Sequence, residues 1–211
     1  MIKLPVLGNR HKVCVICEGY EDVAYFNRLL ELQVWKSVYE FSTMNAKSAS
    51  NIPAMFQDTF HNDRYEIILV FCDTDKAPYR EYAQIKKKIN DFLNNQAAAD
   101  KIVIFANPCT MQIILSHFGD VSLKNQGKKS NAAEIEKWTG VKNYDAHEDQ
   151  IKEICGKIFR RSYEGMKQRV AAINFSDTTS CSTNFSVFLD RFESEDTKWI
   201  STTQEYLREQ E

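Results

Sequence analysis

The 211 residues are 43% hydrophobic, 27% charged and 12% aromatic with a formal net charge of −2, which suits one packed core, or a core with a smaller appendage. So small a net charge excludes a globally basic nucleic-acid binder, though not a local basic patch. With no run of about 18 apolar residues, no bilayer-spanning helix is expected, and MIKLPVLGNRHK lacks the apolar stretch and cleavage site of a signal peptide.

HKVCVIC (11–17) reads as a fully buried strand that stops at Glu18-Gly19. A helix follows, with Val23, Phe26 and Leu30 at helical spacing and Glu21 and Asp22 in the first turn, where the helix dipole favours acids. VYEFSTM (38–44) predicts a second, shorter strand, and Ser48 and Ser50 offer caps for a helix near 51–61. EIILVFC (66–72) is the third strand, and Asp73 and Asp75 stand where its apolar run ends. Pro78 is expected to open a helix with the stripe Tyr82, Ile85, Ile89, Phe92 and Leu93. KIVIFAN (101–107) is a fourth strand stopped by Pro108, and 110–118 is a short helix ended by Gly119.

Strands alternating with helices predict an α/β core with a parallel four-stranded sheet and right-handed crossovers, covered by helices on both faces. Beyond residue 120 the pattern changes. A polar, basic loop (120–131) leads into helices at 132–139, 148–173, 184–193 and 197–209, with a break at SDTTSCST and no usable strand signal. The expected organisation is a core over 1–120 and a helical C-terminal extension over 121–211 packed on it.

The six cysteines lie mostly inside apolar segments. Cys14 and Cys17 form a CxxC, but three residues apart in a strand their thiols point to opposite faces, so buried free thiols are expected there instead of a metal or redox pair. This usage predicts a reducing, cytoplasmic compartment.

In a parallel sheet all carboxyl ends share one edge, and ligands bind beyond it where the strand order reverses. Glu18 ends the first strand and Asp73 and Asp75 end the third. Neighbouring strands lie about 4.8 Å apart, so three carboxylates would converge, and extended backbone would point Asp73 and Asp75 to one side. Such acids repel one another unless a cation lies between them. Magnesium suits oxygen-only ligands and keeps waters beside a few carboxylates and substrate phosphates.

ICEGYEDVAYF followed by IILVFCDTD resembles the Toprim domain, whose signature is a strand ending in Glu-Gly and a later strand ending in Asp-x-Asp. The resemblance covers about residues 11–107 and implies a Toprim-like Rossmannoid core. It implies metal-binding acids at Glu18, Asp73 and Asp75, a turn glycine at Gly19, and phosphodiester chemistry with magnesium, manganese being an alternative. FANPCTMQIILSHF is further similar to a segment of RloB-like proteins, small Toprim proteins of bacterial restriction and phage-defence loci, at Asn107, Pro108, Cys109, His117 and Phe118. Where that family has Phe-Glu this chain has Thr110-Met111, and its Trp position is Ile113, so this chain either does without any chemistry of that Glu or supplies another acid. The expectation is a nuclease acting on DNA or on RNA, tRNA included, in anti-phage defence, with an ATPase partner; a homodimer is compatible with it. Glu18, Asp73 and Asp75 would be the catalytic set.

Basic residues cluster at Arg10–Lys12, Lys86–Lys88, Lys124 with Lys128 and Lys129, and Arg160–Arg161. Lys76, Arg80, Arg10, Lys12, Asn107 and His117 are candidates for holding substrate. His117 shares a face with Ile113 and Ile114 and reads better as a core histidine than as a base. A haloacid-dehalogenase-like phosphatase also uses strand-DxD, but after its first strand and with a Thr two residues on. With seven glycines and no GxGxxG or GK[ST], nucleotide-binding loops are excluded. The competing expectation is a non-catalytic Toprim scaffold serving as a binding or regulatory subunit.

Overall fold

The computed structural model describes residues 10–75, 77–124, 128–179 and 181–208, with residues 128 and 129 described by backbone alone. The candidate Lys76 lies outside the described residues, as do the side chains of Lys128 and Lys129.

In chain order the elements are β1 (His11–Cys17), α1 (Tyr20–Glu31), β2 (Tyr39–Asn45), α2 (Ile52–His61), β3 (Ile67–Asp73), α3 (Arg80–Phe92), α4 (Ala98–Ile102) and β4 (Val103–Asn107). The remainder is α5 (Met111–Leu115), α6 (Ala132–Thr139), α7 (Glu148–Gly156), α8 (Arg160–Ala172), β5 (Ser182–Thr183), α9 (Phe185–Glu193) and α10 (Lys198–Arg208). The protein is α/β, with a five-stranded, mostly parallel sheet in the order β2-β1-β3-β4-β5. Among the described residues no helix is long and apolar enough to cross a membrane.

The most apolar strands take the centre. β3 is buried along its whole length and β1 from Val13 onward, which only strands covered on both faces can be. Alternation then assigns the layers. Phe71 meets Phe26 of α1 and stacks on Phe185 of α9, while the next residue, Cys72, and its register partner Phe105 face Tyr82 of α3. A second aromatic group joins the ends of the chain: Phe192 lies 5.0 Å from Trp35 and 4.9 Å from Phe41, with Trp199 beyond it, and the Trp199 indole donates to Tyr39 Oη at 2.8 Å.

Four expectations are corrected. The sheet has five strands, because Ser182 and Thr183 pair antiparallel with Ala106 and Asn107; two polar residues carry no apolar periodicity to betray a strand. Lys101 and Ile102 belong to α4, whose start is held by the Asn90 side chain accepting from Ala99 N–H at 2.8 Å, so β4 begins at Val103. α3 starts at Arg80 and not at Pro78, with Tyr79 at φ 56° as the residue before it. The expected helix 148–173 is two helices, parted where the buried Ile158 carbonyl accepts both Nε and Nη2 of Arg28, at 3.1 and 2.9 Å.

β5 covers only the end of β4. Along the rest of that edge Asn184 substitutes for a strand, its Oδ1 accepting from Phe105 N–H at 2.9 Å and its Nδ2 donating to Val103 O at 2.8 Å. Asn184→Ala orphans both backbone groups and should cost about 1–3 kcal/mol per orphaned group at most. Asn184→Asp, which keeps the acceptor alone, should fall between Ala and wild type. Urea midpoints of the three proteins check the order.

Candidate functional site

The strand order reverses between β1 and β3: from β1 the chain moves outward to β2, then returns across to β3. Beyond their carboxyl ends the acids gather. Pairing continues one residue past β1, with Glu18 N–H donating to Phe71 O at 3.0 Å. The Glu18 side chain then crosses to β3, where its Oε2 accepts from Asp73 N–H at 3.1 Å. Asp73, 9% exposed, has its own Oδ1 on Thr110, accepting from the backbone N–H at 2.8 Å and facing Oγ1 at 3.2 Å.

The extended backbone that would point Asp75 to the side of Asp73 ends at Thr74. Thr74 N–H still donates to Ala106 O at 2.9 Å, but Asp75 turns to φ 57° and donates its N–H to Pro108 O at 3.1 Å. An aspartate tolerates this left-handed conformation better than most residues. It leaves Asp75 exposed on the rim. Thr74 Oγ1, between the two aspartates, is buried with no hydrogen-bond partner among the described residues.

Two further acids sit beneath the rim, and both come from the first turn of α1. Asp22, 3% exposed, accepts from Gly19 N–H at 2.8 Å, closing the turn, and its other oxygen accepts the Thr110 hydroxyl. One threonine thus ties α1 to β3. Glu21, 5% exposed, accepts the hydroxyl of Tyr144, which reaches in from the C-terminal region. The acids are felt by their neighbours. Burial raises the Cys72 thiol well above its usual range, and Glu18, Asp73, Asp22 and Asp75 each push it further. Burial likewise raises Tyr144, with Glu21, Cys109 and Asp73 adding to the effect.

Among the described residues no group of three or more His, Cys, Asp and Glu forms a ready-made metal cage. The donors present are hard oxygens, with Glu18 and Asp73 in hydrogen-bonded contact through the Asp73 N–H and Asp75 at the exposed rim. That set fits magnesium, which is held by one or two carboxylates and completes its shell with waters and substrate oxygens.

The other candidates scatter. Arg80 is exposed at the first residue of α3. Arg10 and Lys12 are exposed at the opposite, amino-terminal end of β1; Lys12 is six residues from Glu18, roughly 20 Å along a strand. Asn107 ends β4 fully buried, its side chain donating to Asp177 O at 3.2 Å. Lys86 is ion-paired with Asp100 and Asp177, and Lys87 with Asp91. Cys14 and Cys17 are buried free thiols, Cys14 pushed up to about 12 by burial.

His117 is buried inside a closed chain of hydrogen bonds. Ser162 Oγ donates to Phe159 O at 2.8 Å, so it accepts from His117 Nδ1–H; Nε2 is then left to accept the Tyr25 hydroxyl, each at 3.0 Å. That arrangement fits only the neutral ring.

Asp22, Thr110 and Tyr144 were not among the sequence candidates. The spacing of Asp22 three residues after the helix cap was the available signal for it. Thr110 sits where the chain departs from the RloB-like pattern, and nothing local marks Tyr144. No family model, no curated protein and no solved structure matches this chain.

Burial, with Arg169 opposing charge as well, lowers His117 to about 3, whereas an unfolded histidine titrates near 6.5. As pH falls the unfolded chain takes the proton first, so the stability this residue contributes is complete above pH ~6.5 and drains away toward pH ~3. Between pH 6.5 and 5, wild type should lose about 1.5 kcal/mol more than His117→Asn. Urea unfolding of both proteins across that range measures it.

Proposed function

We propose that this protein is a magnesium-dependent nuclease of the Toprim kind, hydrolysing phosphodiester bonds in nucleic acid. The observation that supports it best is the contact of Glu18 Oε2 with Asp73 N–H at 3.1 Å, which brings acids from two neighbouring parallel strands together at the point of strand-order reversal. The wider resemblance supports a role in prokaryotic phage defence beside an ATPase partner.

In this reading Asp73 would hold the cation with Asp75 at the rim, and Glu18 would serve as a further ligand or as the general base. Bound magnesium supplies charge stabilisation for the phosphoryl oxygens and a more acidic water. Glu18 accepts the proton of the attacking water as its oxygen bonds to phosphorus, and the departing sugar oxygen is protonated from solvent. Thr110 and Asp22 do not touch substrate; they fix the rotamer of Asp73 and the turn that carries Glu18.

A second reading, a Toprim scaffold that binds without cutting, is favoured by the lack of a three-acid cage among the described residues. Cleavage separates the two. Single-stranded and duplex DNA and RNA should be nicked with magnesium or manganese and not with EDTA, and Glu18→Gln and Asp73→Asn should each lower the rate at least a hundredfold. Magnesium at a hundred times its dissociation constant should stabilise wild type by about 2.7 kcal/mol, and the increment should shrink in Asp73→Asn. Wild type that neither cuts any of these substrates nor responds to magnesium on heating would leave the scaffold reading.

A further inference from the structure

Acids at a strand edge repel a polyanion, so a nucleic-acid strand that reaches Glu18 needs cations on the same edge. Arg10 and Lys12 stand at the other end of β1. The sheet register brings a different lysine. Cys17 pairs with Asn45, and Ala46 N–H donates to Cys17 O at 2.9 Å, so Lys47 emerges beside Glu18 and Gly19. Its position is braced: Asn45 Oδ1 accepts from Lys47 N–H at 2.8 Å, holding φ at 67°, and Asn51 Nδ2 donates to Ala46 O at 2.9 Å. Lys47 is exposed, and no ion pair among the described residues involves it.

A second cation arrives from the C-terminal region. Tyr20 opens α1 two residues after Glu18 and is half-buried, and Lys152 Nζ of α7 lies 5.6 Å from the centre of its ring. A tyrosine face holds an ammonium group by its negative π surface. α7 packs along α1, and Tyr144 anchors the preceding loop on Glu21, so the position of Lys152 is set by buried contacts. Among the described residues its ion-pair partner is Glu148 on the same helix, 3.8 Å away and well exposed.

We propose that Lys47 and Lys152, with Tyr20 between them, form the flank that holds a single nucleic-acid strand, the lysines taking phosphates on either side of the bond presented to Glu18 and Asp73. This rests on the nuclease reading and extends it, because Lys152 makes the C-terminal region part of the substrate site. Tyr20 offers its ring to a base or sugar and steadies Lys152.

Binding is read by fluorescence anisotropy of labelled single-stranded RNA and DNA oligonucleotides on the Glu18→Gln protein in magnesium, across a salt series. Lys47→Ala and Lys152→Ala should each weaken binding several-fold and flatten the plot of log affinity against log salt by about 0.7 unit. Tyr20→Leu should weaken binding and Tyr20→Phe should not. Lys198→Ala, an exposed lysine of α10, should change neither affinity nor slope. In the cutting enzyme the two lysine variants should raise KM and leave kcat near wild type. If wild type cuts and both lysine variants bind and cut as their parents do, the flank is wrong and the nuclease reading survives. If nothing is cut but binding still depends on the two lysines, the flank stands on a protein that binds without cutting. Loss of both cutting and binding in the parent overturns the two together.

Discussion

The candidate site depends on one register, the parallel pairing of Cys17 with Phe71. Set it there, and the first polar residue after β1 reaches the last residue of β3 and accepts its N–H. A one-residue slip would turn every side chain of β1 to the other face and carry Glu18 away. The register is secured by burial: from Val13 to Cys17 and from Leu69 to Cys72 no side chain is exposed, and packing from both faces fixes which residue is opposite which.

That core is not closed by its own helices. Phe185 of α9 stacks on Phe71, Phe192 packs in a triangle with Trp35 and Phe41, and the Tyr39 hydroxyl proton is shared between the carbonyls of Arg191 and Ser194. Through α9 the last third of the chain thus helps cover the Phe71 face of the sheet, and through Tyr144 it reaches the acids. Asp75 and Lys47 sit in left-handed turns on loops, whereas Asp73, Asp22 and Thr110 are buried and mutually bonded.

The central strands β1 and β3 were legible because a strand covered on both faces must be written in apolar residues, and VCVIC and IILVFC are. The acids were legible for the complementary reason, as polar residues at the ends of such runs. What depends on distant partners was not. Ser182 and Thr183 join the sheet through the edge that β4 leaves open, and Ile158 interrupts a helix because Arg28, 130 residues away, takes its carbonyl. The left-handed turn at Asp75 is set by Pro108, which no local pattern announces. Lys47 carries no local signal: its meaning lies in the register, which brings the end of β2 alongside the end of β1, and not in its neighbours along the chain.

Asn184 has a consequence that reaches beyond the folded molecule. An open sheet edge is a template on which another chain can lay a strand, and such edges seed aggregation. A neighbouring strand would leave a new edge of its own. A side-chain amide does not, since it has no further backbone to offer. By satisfying Val103 and Phe105 with a carboxamide, the chain ends its sheet with a stopper that cannot be extended, at a strand whose apolar sequence VIFA would otherwise offer such a template.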